Sequence, residues 1–130
     1  MKYISDKSNT YVDQGNSIIS KKILHTCCLG SCSALYFHLN GYNFLSHIDG
    51  LETTTEDLIT VINSIFSKKD MKNYSLKGKL IIGPWCADDC KSANIGKEVI
   101  KYYEIQNKIF INKDIQWKDT IIVSGTGINL

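Results

Sequence analysis

The chain has 130 residues, of which 43% are hydrophobic and 22% charged, and its formal net charge is +2. This composition is typical of one soluble globular domain, and so small a net charge predicts no nucleic-acid partner. No apolar stretch approaches the roughly 20 residues that span a bilayer, and the N-terminus lacks the apolar core of a Sec signal peptide. We therefore expect a cytoplasmic protein, or one delivered into a host or competitor cell by a route without that signal.

The first third of the chain is predicted to hold three strands after a polar entry segment. Residues 1–20 are expected to be loosely ordered, with a short strand near Ile18-Ile19. Strands rich in β-branched and aromatic residues are predicted at 22–27 (KILHTC), 33–38 (SALYFH) and 42–47 (YNFLSH). Asn40-Gly41, between the last two, is a strong signal for a two-residue hairpin turn.

The remainder alternates predicted helices and strands. A helix is predicted at 53–68, with Thr53 and Glu56 as a capping box. A buried strand follows at 78–83, a helix at 88–104, and late strands at 108–112 and 120–124. The predicted buried faces of the two helices are Leu58, Ile62, Ile65 and Phe66, and Ile95, Val99 and Tyr102. We predict one domain over 1–130, of class α+β (mixed α/β), with a β-sheet or β-sandwich core and flanking helices.

The hairpin register predicts which side chains share a face. If Asn40-Gly41 forms the turn, Leu39 pairs with Tyr42 and His47 lies opposite Ala34. Cys32 points to the same face as Ala34, which makes it the diagonal neighbour of His47, about 7–8 Å away at the backbone. Of the three histidines, His47 is therefore the best placed to act on Cys32.

Cys32 and His47 are candidates for a nucleophile and its base. Cys32 follows a turn containing Gly30 and Ser31 that can expose backbone N–H groups, and the N–H of Cys32 with a neighbouring loop donor would stabilise an oxyanion. A neighbouring imidazole favours the reactive thiolate form of cysteine. The alternative is that Cys32 is a small buried hydrophobic residue and His47 an ordinary strand-end histidine.

The other cysteines leave two further interpretations open. Five cysteines are an odd number, so at least one is unpaired within the chain, which favours a reducing compartment. A metal site would draw on the cysteines and His25, although no C-x2-C pair occurs and Cys27 and Cys28 are predicted to point to opposite faces of a strand. A Cys86–Cys90 disulfide would form in an oxidising setting.

Three stretches of the chain resemble known cysteine amidohydrolases. T-C-C-L-G-S-C (26–32) resembles the T-x-x-L-G-S-C motif of the CheD chemoreceptor glutamine deamidases, and residues 83–100, with N-I-G at 94–96, resemble a later segment of that family. The spacing of Cys32 and His47 is similar to that in the cytotoxic necrotizing factor toxins, which deamidate Rho GTPases. L-S-H-I-D-G (45–50) resembles the histidine region of protein N-terminal asparagine amidohydrolase. The resemblance covers about residues 22–124.

The resemblance implies a fold of this superfamily and a triad of Cys32, His47 and Thr26. Cys32 would be the nucleophile, His47 the base and Thr26 the group that orients the imidazole, with Asp49 the alternative orienting residue. The implied reaction is deamidation of a glutamine in a target protein, without a metal or organic cofactor. N-terminal asparagine amidohydrolase activity, or a non-catalytic binding module of the same fold, are the alternatives.

Overall fold

The strands and helices lie close to their predicted positions. The computed structural model describes residues 2–4, 10–39, 41–67, 69–70, 77–86, 90–103, 106–111, 118–124 and 127–129. Within these ranges the strands are β1 (Lys2–Ile4), β2 (Asn16–Ser20), β3 (Leu24–Cys27), β4 (Ser33–Leu39), β5 (Tyr42–Ile48), β6 (Lys77–Ile82), β7 (Gln106–Ile111), β8 (Thr120–Ser124) and β9 (Gly127–Asn129). Helix α1 spans Thr55–Asn63 and helix α2 spans Lys91–Tyr103.

The strands form two sheets. The larger has six strands in the order β1-β2-β5-β4-β6-β7, and the smaller has three in the order β3-β8-β9. Only the β1–β2 and β6–β7 pairs of these described strands are parallel. The fold is therefore mixed α+β with mostly antiparallel sheets, as the sequence predicts. Neither described helix has the length and apolar character needed to cross a bilayer.

The predicted hairpin register is confirmed. Leu39 pairs with Tyr42 and Ala34 with His47 along the β4–β5 ladder. Asn40 lies outside the described residues. Gly41 has a φ of +85°, the conformation that a two-residue hairpin turn requires and that glycine adopts without strain.

The six-stranded sheet lies between two apolar layers because its side chains alternate between its faces. One face packs against the helices; its cluster includes Leu35, Phe37, Phe44, Leu58, Ile62, Leu80 and Val99. The other face packs against the three-stranded sheet; its cluster includes Cys32, Ala34, Tyr36, Leu45, Leu24, Ile121 and Val123. Burial of each large apolar side chain contributes about 1.5–3 kcal/mol to the free energy of folding, so both layers stabilise the hairpin.

The N-terminal segment differs from its prediction. Residues 10–20 are not a loose extension, because Val12 and Ile18 are fully buried. β2 pairs with β5 inside the larger sheet, and β1 pairs with β2. The polar composition misled the prediction, since the few apolar residues of this segment cover the sheet edge beside β5.

Both helices also depart from prediction in detail. The capping box of α1 is Thr54 with Asp57, one residue later than the predicted Thr53 with Glu56. α1 ends at Asn63, so Ile65 falls outside the helix and is exposed. In α2 the buried aromatic residue is Tyr103 rather than Tyr102, because its hydroxyl donates to Asn63 Oδ1 at 2.6 Å. This bond joins α2 to the end of α1.

Candidate active site

Cys32 and His47 lie in the same layer, between the two sheets. Cys32 belongs to the apolar cluster of Ala34 and Leu45, on the face of the larger sheet that meets β3 and β8. His47 pairs with Ala34 on that ladder and contacts Thr26 of β3, so its ring points into the same layer. Cys32 is the residue before β4, whose ladder with β5 begins at the pair Ser33 and Ile48, so the confirmed part of the predicted geometry is the pairing of Ala34 with His47.

Thr26 determines the tautomer of His47. The Thr26 hydroxyl donates to the carbonyl oxygen of Val12 at 2.6 Å and lies 2.9 Å from His47 Nδ1. A hydroxyl has one proton, so Thr26 Oγ1 must accept the second hydrogen bond. Nδ1 therefore carries the proton, and Nε2 has a free lone pair. This is the tautomer that a general base needs.

His47 Nε2 is buried and has no hydrogen-bond partner among the described residues. Burial lowers the pKa of His47 to about 4, although the negative charges of Asp49 and Asp13 act in the opposite direction. The imidazole is therefore neutral near pH 7. A buried acceptor without a hydrogen bond is costly and rare in folded proteins.

Cys32 is the free cysteine of the described residues, and it is 7% exposed. Burial, and secondarily the negative charge of Asp49, raises the pKa of its thiol to about 11. Near pH 7 the thiol of Cys32 and the imidazole of His47 are therefore both uncharged.

Within the described residues, Asp49 makes no hydrogen bond to His47. Its carboxylate accepts hydrogen bonds from the N–H of Leu51 at 2.7 Å and from Gln14 Nε2 at 3.0 Å. The Leu51 bond is the main cause that holds the pKa of Asp49 below its ordinary value. Asp49 therefore acts on Cys32 and His47 through its charge, whereas Thr26 holds the imidazole directly.

The turn before Cys32 forms as predicted, but its hydrogen bonding differs from the prediction for an oxyanion site. The N–H of Cys32 donates to the carbonyl of Leu29 at 2.5 Å, which closes a four-residue turn. Gly30, at the second position of this turn, has a φ of +51°. Because the Cys32 N–H is used inside the turn, Ser31 is the better candidate for an oxyanion donor.

The other four cysteines are paired with one another. Disulfides join Cys27 to Cys28 and Cys86 to Cys90. The prediction that Cys27 and Cys28 point to opposite faces is wrong, because β3 ends at Cys27 and Cys28 has a φ of +62°. Among the described residues, no three His, Cys, Asp or Glu side chains lie close enough together to hold a metal ion.

A cleft of about 510 Å³ lies beside the turn that follows β5. It is lined by the first turns of both helices and by Leu51, and neither Cys32 nor His47 lines it. The sequence analysis missed three contributors near the site: the Val12 carbonyl, the Gln14 amide and the Ser92 hydroxyl. No local pattern marks them, because each meets the site across a distance of many residues.

The pH dependence of Cys32 alkylation provides a test of this electrostatic arrangement. Because the thiol pKa is raised to about 11, the rate of iodoacetamide alkylation should keep rising between about pH 8 and pH 10. An ordinary thiol, with a pKa of about 8.5, would level off in this range. Asp49→Asn removes a negative charge, should lower the Cys32 pKa, and should speed alkylation at neutral pH. A rate that is already level at about pH 7 would instead indicate a preformed thiolate–imidazolium pair.

Comparison with known proteins does not place the chain. No protein-family model matches it, and no curated protein matches it either.

Proposed function

We propose that this protein is a cysteine-dependent amidohydrolase that deamidates a glutamine side chain of another protein. One observation carries the proposal: Thr26 holds His47 so that its buried Nε2, which has no hydrogen-bond partner among the described residues, is an available base in the layer that contains the free thiol of Cys32. The mixed α+β fold, with its hairpin carrying both residues, is compatible with the CheD-like and necrotizing-factor-like fold that the motifs resemble.

The proposed reaction has two halves. The Cys32 sulfur attacks the carboxamide carbon while the thiol proton passes to His47 Nε2, and the carbonyl oxygen becomes negative. His47 returns the proton to the departing nitrogen, so ammonia leaves and a thioester remains. Water, deprotonated by His47, then attacks the thioester. The products are the side-chain carboxylic acid and the regenerated Cys32 thiol.

The raised pKa of the Cys32 thiol and the lowered pKa of the His47 imidazole favour a general-base mechanism over a preformed thiolate–imidazolium ion pair. Proton transfer during attack requires the base to be unprotonated, and His47 meets that condition down to about pH 4. The hydrogen bond from Nδ1 to Thr26 would keep Nε2 directed at the reacting atoms as the ring becomes charged. In this role Thr26 corresponds to the third residue of other catalytic triads, which hydrogen-bonds the imidazole and holds its tautomer and orientation.

The substrate partner in this proposal is a protein that carries the modified glutamine. The families that the motifs resemble act on chemoreceptors and on Rho GTPases, and we infer the same chemical class, a side-chain carboxamide, for this chain. The reaction needs neither a metal nor an organic cofactor. For action in the cytoplasm of its own cell, or of a cell into which the protein is delivered, the chemistry needs only the reduced thiol of Cys32, whereas the Cys27–Cys28 and Cys86–Cys90 disulfides would be open to reduction there.

Intact-mass measurement of candidate target proteins tests the proposal. Incubation with the protein should produce the small mass gain that accompanies conversion of an amide to an acid, and peptide mapping should place it on one glutamine. Cys32→Ser is the matched control and should give no gain. A gain on asparagine would favour the asparagine alternative. Unmodified glutamines in every bound partner would favour a non-catalytic binding module.

Thr26 and Asp49 should be distinguishable by mutation. Thr26→Val removes the acceptor for His47 Nδ1 and the donor to Val12, so turnover should fall about tenfold and the free energy of unfolding by about 1–3 kcal/mol. Thr26→Ser keeps the hydroxyl and should restore most of both. Asp49→Asn should change turnover less than Thr26→Val. Deamidation rates and denaturant unfolding curves measure these effects, and the reverse ranking would transfer the orienting role to Asp49.

A further inference from the structure

The segment between β6 and α2 holds the turn that precedes Cys32. Three successive carbonyl groups of the turn accept hydrogen bonds from Gly83 and Trp85 of this segment and from Ser92 of α2. The Gly30 oxygen accepts from the N–H of Trp85 at 3.0 Å, and the Cys32 oxygen accepts from the N–H of Gly83 at 2.9 Å. Between them, the Ser31 oxygen accepts from the hydroxyl of Ser92 at 2.9 Å.

These bonds determine the direction of the N–H groups in the turn. In a planar trans peptide the C=O of one residue and the N–H of the next point in opposite directions. The Gly30 carbonyl points at Trp85, so the Ser31 N–H points away from the β6–α2 segment. The Ser31 carbonyl points at Ser92, so the Cys32 N–H points the other way, where it meets the Leu29 carbonyl. Ser31 is exposed, in contrast to its neighbours Gly30 and Cys32.

Of the three donors to the carbonyl groups of the turn, Ser92 alone donates through its side chain, since Trp85 and Gly83 donate through their backbone N–H groups. It is the second residue of α2 and is 1% exposed. Its single hydroxyl proton goes to the Ser31 oxygen, so Ser33 donates the hydrogen bond that joins the two hydroxyls at 3.0 Å. Ser92 Oγ also lies 3.4 Å from Cys90 Sγ. A hydroxyl fixed from several sides is a rigid anchor for the Ser31 carbonyl.

We propose that Ser92 is a positioning residue that holds the Leu29–Cys32 turn so that the Ser31 N–H stabilises the oxyanion formed when Cys32 attacks a carbonyl. This role rests on the proposed function. Ser92 does not touch the reacting atoms in this mechanism. It fixes one peptide plane of a four-residue turn, and the neighbouring plane, which carries the Ser31 N–H, loses its freedom to rotate. Such preorganised donors contribute to acyl transfer because they need no reorganisation during the reaction.

Two small reagents separate this role from general support of the fold. p-Nitrophenyl acetate acylates a thiol through a tetrahedral oxyanion: the sulfur–carbon bond forms, p-nitrophenolate leaves, and the thiol proton passes to His47. Iodoacetamide alkylates the same sulfur by direct displacement of iodide, without an oxyanion. Both rates depend on the nucleophilicity of Cys32, but only acylation depends on the Ser31 N–H.

Ser92→Ala should therefore lower the acylation rate about tenfold, less than the roughly 10²–10³ lost when an oxyanion donor itself is removed. Its alkylation rate at the same pH should be unchanged. Ser92→Thr retains the hydroxyl and should restore acylation. Ser33→Ala is the matched control: it removes a neighbouring buried hydroxyl but leaves the bond from Ser92 to Ser31, and should leave both rates unchanged. Cys32→Ser measures the background.

The outcomes discriminate between the two proposals. If Cys32 is acylated at the same rate in Ser92→Ala and in the unaltered protein, the role of Ser92 is overturned, while the proposed function is unaffected. An equal fall in acylation and alkylation would also overturn it, because the residue would then act on the thiol or on the fold. No acylation of Cys32 in the unaltered protein would overturn both. If Ser92→Ala does not fold, comparison of Ser92→Val with Ser92→Thr replaces it, since valine has the shape of threonine but lacks the hydroxyl.

Discussion

Replacing His47 by glutamine is expected to slow acylation of Cys32 by p-nitrophenyl acetate on the order of 10²–10⁴-fold at pH 7. The thiol, with a pKa of about 11, is almost entirely protonated at this pH, so attack requires a base. Glutamine has a similar size and retains a polar end, but its amide cannot accept a proton. The measurement is release of p-nitrophenolate, followed by mapping of the acetyl group to Cys32 by mass spectrometry.

The pH profile of the same reaction gives an independent check. The unaltered protein should keep its base until His47 becomes protonated near pH 4, so the acylation rate should fall only towards that value. The His47→Gln variant should lack this acid limb and show a rate proportional to the small thiolate fraction. His38→Gln is the matched control, because His38 lies near the turn end of the hairpin, where it contacts Asn43. A loss of activity with His38→Gln as large as that with His47→Gln would contradict the assignment.

Gly83→Ala is expected to reduce the free energy of unfolding by about 3 kcal/mol or more, at the upper end of overpacking effects. A Cβ atom at this position would meet the carbonyl oxygen of Cys32 at 2.6 Å and would approach that of Gly30 still more closely. Both obstructing atoms belong to the backbone of the turn that bears the nucleophile, so no side-chain rotation can relieve them. Denaturant unfolding measures the loss of stability.

Gly41→Ala is the matched control for this substitution. Gly41 has a positive φ, but a Cβ atom there would have open space around it, so the cost should be limited to roughly 1–2 kcal/mol of backbone strain. If Gly83→Ala folds, the turn must have moved, and acylation of Cys32 should fall with it. A Gly83→Ala variant as stable and as reactive as the unaltered protein would show that the β6–α2 segment does not hold the turn in this way.

The sequence by itself determined the hairpin and its register, which sets His47 opposite Ala34. Asn40-Gly41 sets the register, and the two-residue alternation of a strand then places both side chains on one face. These are local effects: each depends on residues that are close in the chain and on hydrogen bonds between adjacent strands. The α+β class followed in the same way, from the alternation of apolar periodicities along the chain.

Only the tertiary structure decided what surrounds His47 and Cys32. Thr26 meets His47 because the three-stranded sheet packs on the larger one, and the Val12 carbonyl that fixes the tautomer belongs to a segment whose polar composition predicted looseness. The Cys32 N–H is used by its own turn, and Ser92, which bonds the Ser31 carbonyl of that turn, lies on a helix 61 residues further along the chain. Such contacts depend on how layers pack and which side chains they bury. No spacing rule within the sequence encodes them.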